Sequence, residues 1–129
     1  MVQAFAPEVE SAGEWSLVFL GGEFSHAVVK TPRAGDFRVQ DEWGGSHARV
    51  EPPLGLAAQA ERLVRRLGGP VLYARVDGYL RKGVLKVMEL ELLEPLLFLA
   101  ADPGAPARFA EAVRQALVGP GPSGYTLAP

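Results

Sequence analysis

The chain contains no cysteine. That excludes disulfides, thiolate metal sites and a cysteine nucleophile, and it fits a cytoplasmic or a thermophilic protein without demanding either. Histidine is nearly as scarce. His26 and His47 are far apart, with no H-x-x-x-H spacing, so a zinc site has no basis. Ser16 and Ser46 have no evident His and Asp pairing, which leaves a hydrolase triad without support. Charge of one sign is missing too. A formal net charge of −2 gives no general attraction to nucleic acid or to an anionic membrane. The longest apolar stretch is broken by Glu94-Pro95 and is too short to span a bilayer. Met1-Val2-Gln3-Ala4-Phe5 has neither the basic nor the apolar region of a signal peptide.

What remains is ordinary globular composition, with 48% hydrophobic and 22% charged residues, enough for one domain with a core. Residues 1–118 read as that domain. Residues 119–129, rich in Gly and Pro, read as a flexible tail.

Against this plain background one stretch stands out: Val87-Met88-Glu89-Leu90-Glu91-Leu92-Leu93-Glu94. Glu89 and Glu91 are two residues apart, so on a strand they share a face, with Val87 and Leu93 as neighbours there. Two carboxylates on such a face repel unless a cation lies between them. Upstream, Val71-Leu72-Tyr73-Ala74-Arg75-Val76-Asp77 is a second strand pattern. The polar segment from Gly78 to Gly83 suits a hairpin connection, with Lys82-Gly83 near its tip. Pairing the two strands puts Asp77 opposite Met88 or Glu89. Asp77, Glu89 and Glu91 then converge on one ion. The alternative is a solvated acidic face, or ion pairs with Arg75 or Lys86.

The rest of the chain is an alternation of strands and helices. Residues 6–13 read as a loop, and 14–20 as a strand that turns apolar. Gly21-Gly22 is a hairpin turn, and 23–30 is the returning strand with both faces partly apolar. Asp36 to Gln40 reads as a short strand carrying Arg38, and 43–47 as a Gly-rich loop. A helix over 54–67 places Leu56, Ala60, Leu63, Val64 and Leu67 on one stripe, and Gly68-Gly69-Pro70 ends it. A second helix over 106–118 has Phe109, Val113 and Leu117 on one face. His26 reads as a packed or surface strand residue rather than a ligand. Trp15 and Trp43 read as core or interface. Arg62, Arg65 and Arg66 read as a solvated basic face. The expected fold is α+β, a largely antiparallel sheet with two helices packed on one face.

In order and spacing these segments resemble the C-terminal part of an ATP-grasp ligase, in the glutathione-synthetase-like branch that includes the cyclo-ligase of cycloserine biosynthesis. The stretches that carry the likeness are Gly13-Glu14-Trp15-Ser16-Leu17-Val18-Phe19-Leu20, Phe24-Ser25-His26-Ala27-Val28-Val29-Lys30-Thr31-Pro32, Gly35-Asp36-Phe37-Arg38-Val39-Gln40, Tyr73-Ala74-Arg75-Val76-Asp77 and Met88-Glu89-Leu90-Glu91-Leu92-Leu93-Glu94-Pro95. The resemblance implies ATP and Mg²⁺ as cofactors. Asp77 and Glu89 match the family's metal-binding Asp and Glu. Glu91 stands where many members have Asn, and its added charge brings Mn²⁺ into consideration beside Mg²⁺. Arg38 matches a phosphate-contacting arginine, a task its planar donors suit. Lys30 resembles a basic position near the acyl-phosphate intermediate. The backbone from Gln3 to Phe5 matches the linker that faces adenine, and His47 falls in a Gly-rich substrate loop.

The family activates a carboxylate by phosphoryl transfer from ATP and then joins it to an amine. Its members close two lobes over the nucleotide, and this chain matches only one of them. The resemblance therefore implies a homodimer or a second chain supplying the missing lobe, and a half-site incomplete alone. The competing expectation is a non-catalytic, truncated remnant that serves as a dimeric binding module, held together by apolar surface that the missing lobe leaves bare.

Overall fold

The structure, a computed structural model, describes residues 6–32 and 45–118. The short strand expected around Arg38, Gln3 and Phe5 in the linker, and the 119–129 tail lie outside these residues.

A five-stranded sheet is the centre of the molecule. Its strands are β1 (Glu14–Leu20), β2 (Glu23–Thr31), β3 (Ser46–Arg49), β4 (Tyr73–Arg81) and β5 (Val84–Glu91), in the order β3-β2-β1-β4-β5. Every pairing is antiparallel. Among the described residues three helices accompany it: α1 (Pro7–Ala12), α2 (Leu56–Arg65) and α3 (Ala105–Val118). A short 3₁₀ turn, Leu99–Ala101, precedes α3. This is the expected α+β class.

β1 is the middle strand, and its sequence explains why. Leu17, Val18, Phe19 and Leu20 are all buried, so apolar side chains leave the strand on both sides. Leu17 and Phe19 meet Leu56, Ala60 and Val64 of α2, with Ala74 and Val76 of β4. Val18 and Leu20 meet Ala112 of α3, with Val28 and Phe98. The two helices therefore cover opposite faces of the sheet. The expected placement on one face is corrected, because a strand apolar on both sides needs a layer on each. Burying a side chain of the size of Leu17 or Phe19 contributes about 1.5–3 kcal/mol.

The α3 stripe differs from the periodic expectation. Ala105 and Ala112 are buried, whereas Leu117 is 79% exposed. Phe109 of the expected stripe does pack, beside Ala112 and against Tyr73, and the helix leaves the sheet before its last turn.

Other differences are local. The segment 6–13 is not a loop. Pro7 opens α1 at its first turn. Val9 packs with Ala6 and Tyr79, and Arg81 clamps Glu8 at 2.6 and 2.9 Å. Ser46 and His47 are not in a loop but in β3, which pairs with the end of β2. The β4–β5 connection is shorter than expected. Tyr79, Leu80 and Arg81 continue the strand, and only Lys82-Gly83 turn, both with positive φ. Gly78 belongs to the strand because of a bulge. The register shifts between Asp77 and Gly78, and a Cβ on Gly78 would lie 2.3 Å from the Lys86 carbonyl oxygen.

Candidate functional site

The α3 side of the sheet changes character along β1. Toward Leu20 it is apolar. Toward Glu14 it is a polar patch built by register. Glu14 lies opposite Lys30, and Lys30 opposite His47. Ser16 lies opposite Asp77, and Asp77 opposite Glu89. Arg75 lies opposite Glu91. Directly opposed residues share a face, so one surface gathers Glu14, Ser16, Lys30, Arg75, Asp77, Glu89 and Glu91. The bulge at Asp77/Gly78 leaves Met88 as the extra residue, which keeps Glu89 on Asp77's face and Glu91 on Arg75's.

Asp77 is the centre and is buried. Ser16 Oγ donates to its Oδ1 at 2.5 Å. Arg75 Nε donates to Oδ1 at 3.0 Å and Oδ2 at 2.9 Å, and Arg75 Nη2 to Oδ2 at 2.7 Å. The same Nη2 donates to Glu91 Oε1 at 2.6 Å. Lys30 Nζ lies 2.5 Å from Glu14 Oε1 and 3.7 Å from Asp77 Oδ1. Every buried side-chain polar atom among the described residues has a partner, which is what a low-dielectric polar cluster requires.

Electrostatics follow from this packing. Burial pushes the Glu91 carboxyl above its ordinary range. Arg75 opposes that push, and the neighbouring Glu89 and Asp77 add to it. Burial works against the Arg75 charge, but Asp77 and then Glu91 outweigh it, and its pKa is raised.

The donor set of the patch has the chemistry of a divalent-ion site. Asp77, Glu89 and Glu91 each offer a carboxylate oxygen, and these oxygens lie within 4.8 Å of one another. They are hard oxygen donors of the kind Mg²⁺ takes together with phosphate oxygens. The set fits such an ion.

The structure therefore brings together four of the residues read from sequence: Lys30, Asp77, Glu89 and Glu91. Asp77 faces Glu89, one of the two registers left open. It also realises the alternative pairing, since Arg75 holds Glu91. Arg38, Gln3 and Phe5 lie outside the described residues. Three members of the patch were not singled out as site residues: Ser16, Glu14 and Arg75. Their signal was alternation, since each lies two residues from another polar member of the same face. His26 is packed, one of the two placements the sequence left open. Its Nε2–H donates to the Leu97 carbonyl at 3.0 Å. His47 packs against Phe98 with the rings tilted by 54° and their centroids 4.9 Å apart.

With the sheet, its helices and this acidic hairpin described, the class can be stated: the fold is ATP-grasp-like, and it resembles the C-terminal part of ATP-grasp ligases. Among solved structures, the D-cycloserine synthetase DcsG is similar at a TM-score of 0.75 and 28% identity, covering 89% of this chain and 41% of that one. The D-alanine–D-alanine ligase of Bacillus anthracis in complex with ATP is similar at a TM-score of 0.56 and 18% identity, covering 81% of this chain and 36% of that one. A second structure of the Bacillus anthracis ligase gives 0.54 and 18%, covering 79% and 38%. The chain thus spans about two-fifths of the length of these structures. No protein-family model matches it, and no curated protein matches it. Among the described residues, no helix is long and apolar enough to cross a membrane.

Proposed function

We propose that this chain is the ATP- and metal-binding half of an ATP-dependent carboxylate–amine ligase. One observation carries the reading: three carboxylates converge within 4.8 Å on the β4–β5 hairpin of an ATP-grasp-like sheet. Mg²⁺, or Mn²⁺ in its place, would neutralise nucleotide phosphate charge while a phosphoryl group passes to a carboxylate.

The chain's own residues do the positioning. Asp77, Glu89 and Glu91 would hold the ion. The Ser16 hydroxyl fixes one oxygen of Asp77, so the carboxylate plane is set by β1. Lys30, tethered to Glu14, places positive charge beside the cluster, where negative charge develops on the transferring group. Arg38 as a phosphate contact and the Gln3–Phe5 backbone as an adenine contact belong to this proposal through the resemblance.

A site of this kind is closed by a facing lobe. Leu93 and Leu96 are 87% and 60% exposed just beyond Glu91, a poor surface to leave in water. We place the covering lobe over this flank, contributed by a longer chain, by a partner chain or by a second copy.

The test is calorimetric titration with ATP, with and without Mg²⁺. Metal-dependent heat is expected. Glu89→Gln and Glu91→Gln should each weaken it about tenfold or more. Undiminished metal affinity in both variants would remove the acidic hairpin from the site. No heat at millimolar nucleotide from a folded sample would leave the non-catalytic dimeric module as the better reading.

A further inference from the structure

One guanidinium links the acidic cluster to the segment that crosses above it. We infer that Arg75 is an internal counter-cation that must withdraw from Asp77 and Glu91 before a divalent ion can enter, and that its withdrawal releases segment 92–98. The inference rests on the metal-binding reading above.

The donor sites of Asp77 are already occupied. A carboxylate offers about four lone-pair positions. Ser16 takes one on Oδ1, and Arg75 Nε reaches both oxygens. Arg75 Nη2 takes another on Oδ2 and also holds Glu91 Oε1. The fork therefore lies on two of the three groups that would ligate metal. A divalent ion on Asp77 Oδ2, about 2 Å away as Mg²⁺ binds, would sit within about 5 Å of that fork. Like charges at that separation in a partly buried site drive the fork outward.

The other end of the same side chain holds backbone. Arg75 Nη1 donates to the Leu96 carbonyl at 3.1 Å, and its guanidinium carbon lies 5.8 Å from the Phe98 ring centroid. Segment 92–98 belongs to no strand or helix. His26 holds the next carbonyl, that of Leu97. Glu94 and Phe98 adopt φ of 57° and 48°, a left-handed conformation uphill for a charged chain and more so for a bulky ring. The segment is thus held in an unfavourable shape by two side chains of the sheet, with Phe98 anchoring its end in the cluster of Val18, Leu20 and Val28. Removing one of the two lets the stretch before that anchor relax. Metal uptake and the opening of the flank that carries Leu93 and Leu96 become one event.

The test compares Mn²⁺ binding, read from the free-ion electron spin resonance signal, in the wild type, Arg75→Met and Arg75→Lys. Methionine keeps a packed stem without charge, and lysine keeps charge without the fork. Arg75→Met is expected to bind about tenfold tighter, and Arg75→Lys also tighter than wild type. Mn²⁺ should speed amide exchange across 92–98 in the wild type, a readout that needs no variant to fold. Equal or weaker binding in Arg75→Met would make Arg75 a positioning residue for the metal and overturn the inference. A gain in Arg75→Met but none in Arg75→Lys would reduce the effect to bulk charge and overturn it too. Unchanged exchange at 92–98 on saturation would overturn the release. No saturable binding in the wild type or in either variant would instead overturn the metal reading itself.

Discussion

At the scale of single residues, His26 shows how position fixes protonation. Arg108 Nε donates to Ser25 Oγ at 2.9 Å, so the Ser25 proton is left to face His26 Nδ1, also at 2.9 Å. The other ring nitrogen carries its hydrogen to Leu97. The ring is neutral, with Nε2 protonated. Burial pushes its pKa below the ordinary 6.5, against an opposing pull from the Leu97 carbonyl. A depressed folded value means that the unfolded chain takes up the proton first. Stability is therefore full above pH 6.5 and falls as pH drops below it, by at most about 1.4 kcal/mol per pH unit. Urea unfolding at several pH values between 8 and 5 should show this slope. His26→Gln, which keeps a donor for Leu97, should flatten it. An identical slope in the variant would assign the titration to another group.

At the scale of elements, the β4–β5 hairpin depends on one glycine. Gly78 sits where the bulge brings the Lys86 carbonyl within 2.3 Å of a would-be Cβ. That neighbour is backbone and cannot swing aside. Gly78→Ala should cost about 1–3 kcal/mol by forced displacement, seen as a lower melting temperature, and should disturb the Asp77–Glu89 register. Wild-type stability in the variant would show that the bulge relaxes freely. This hairpin also shows what the chain reveals in one dimension and what it hides. The Gly21-Gly22 turn and α2 with its Leu56–Ala60–Val64 stripe were legible, because turn chemistry and periodicity are local, whereas the partner of Asp77 stayed open between Met88 and Glu89 until the bulge decided it. Gly78 read as the start of the hairpin connection because a glycine required by a distant carbonyl looks like one required by a turn. α1 has six residues and no side-chain cap, so it left no periodic trace. β3 has four exposed residues and exists through its pairing with β2. The side on which each helix lies was hidden as well, since 17–20 are apolar on both faces. In the site, spacing put Arg75 and Asp77 on one face. Whether the guanidinium would turn to Asp77 and Glu91 or to solvent depends on the Leu96 carbonyl and the Phe98 ring, supplied from twenty residues away in sequence.

At the scale of the whole molecule, acid should undo the fold in two stages. The first is the His26 window below pH 6.5. The second belongs to carboxylates held by arginines, two of them between elements and one within α3. Arg81 holds Glu8 down to about 2, tying α1 to β4. Arg114 holds Glu111 at about 2 within α3. Arg108, with Arg49, holds Asp102 well below the usual range, tying β3 to the turn before α3. Folded values depressed in this way mean stability that is present above the ordinary 4.5 of a glutamate and lost as pH falls toward 2. Melting temperatures from pH 7 to 2 should bend downward twice, and His26→Gln should remove only the upper bend. Added salt should shrink the lower one, because the Arg81–Glu8 and Arg114–Glu111 pairs are partly open to solvent. A single transition, or a lower bend indifferent to salt, would contradict this account. The two sides of the sheet also carry unequal loads. Leu17, Phe19, Leu56 and Val76 on the α2 side supply much of the cohesion, and truncating one of the large ones costs about 2–5 kcal/mol. Lys30, Glu89 and Glu91 stand on the opposite side, at or near its rim. A lineage built on such a sheet can alter what it holds, or cease to hold anything, and still inherit a folded protein.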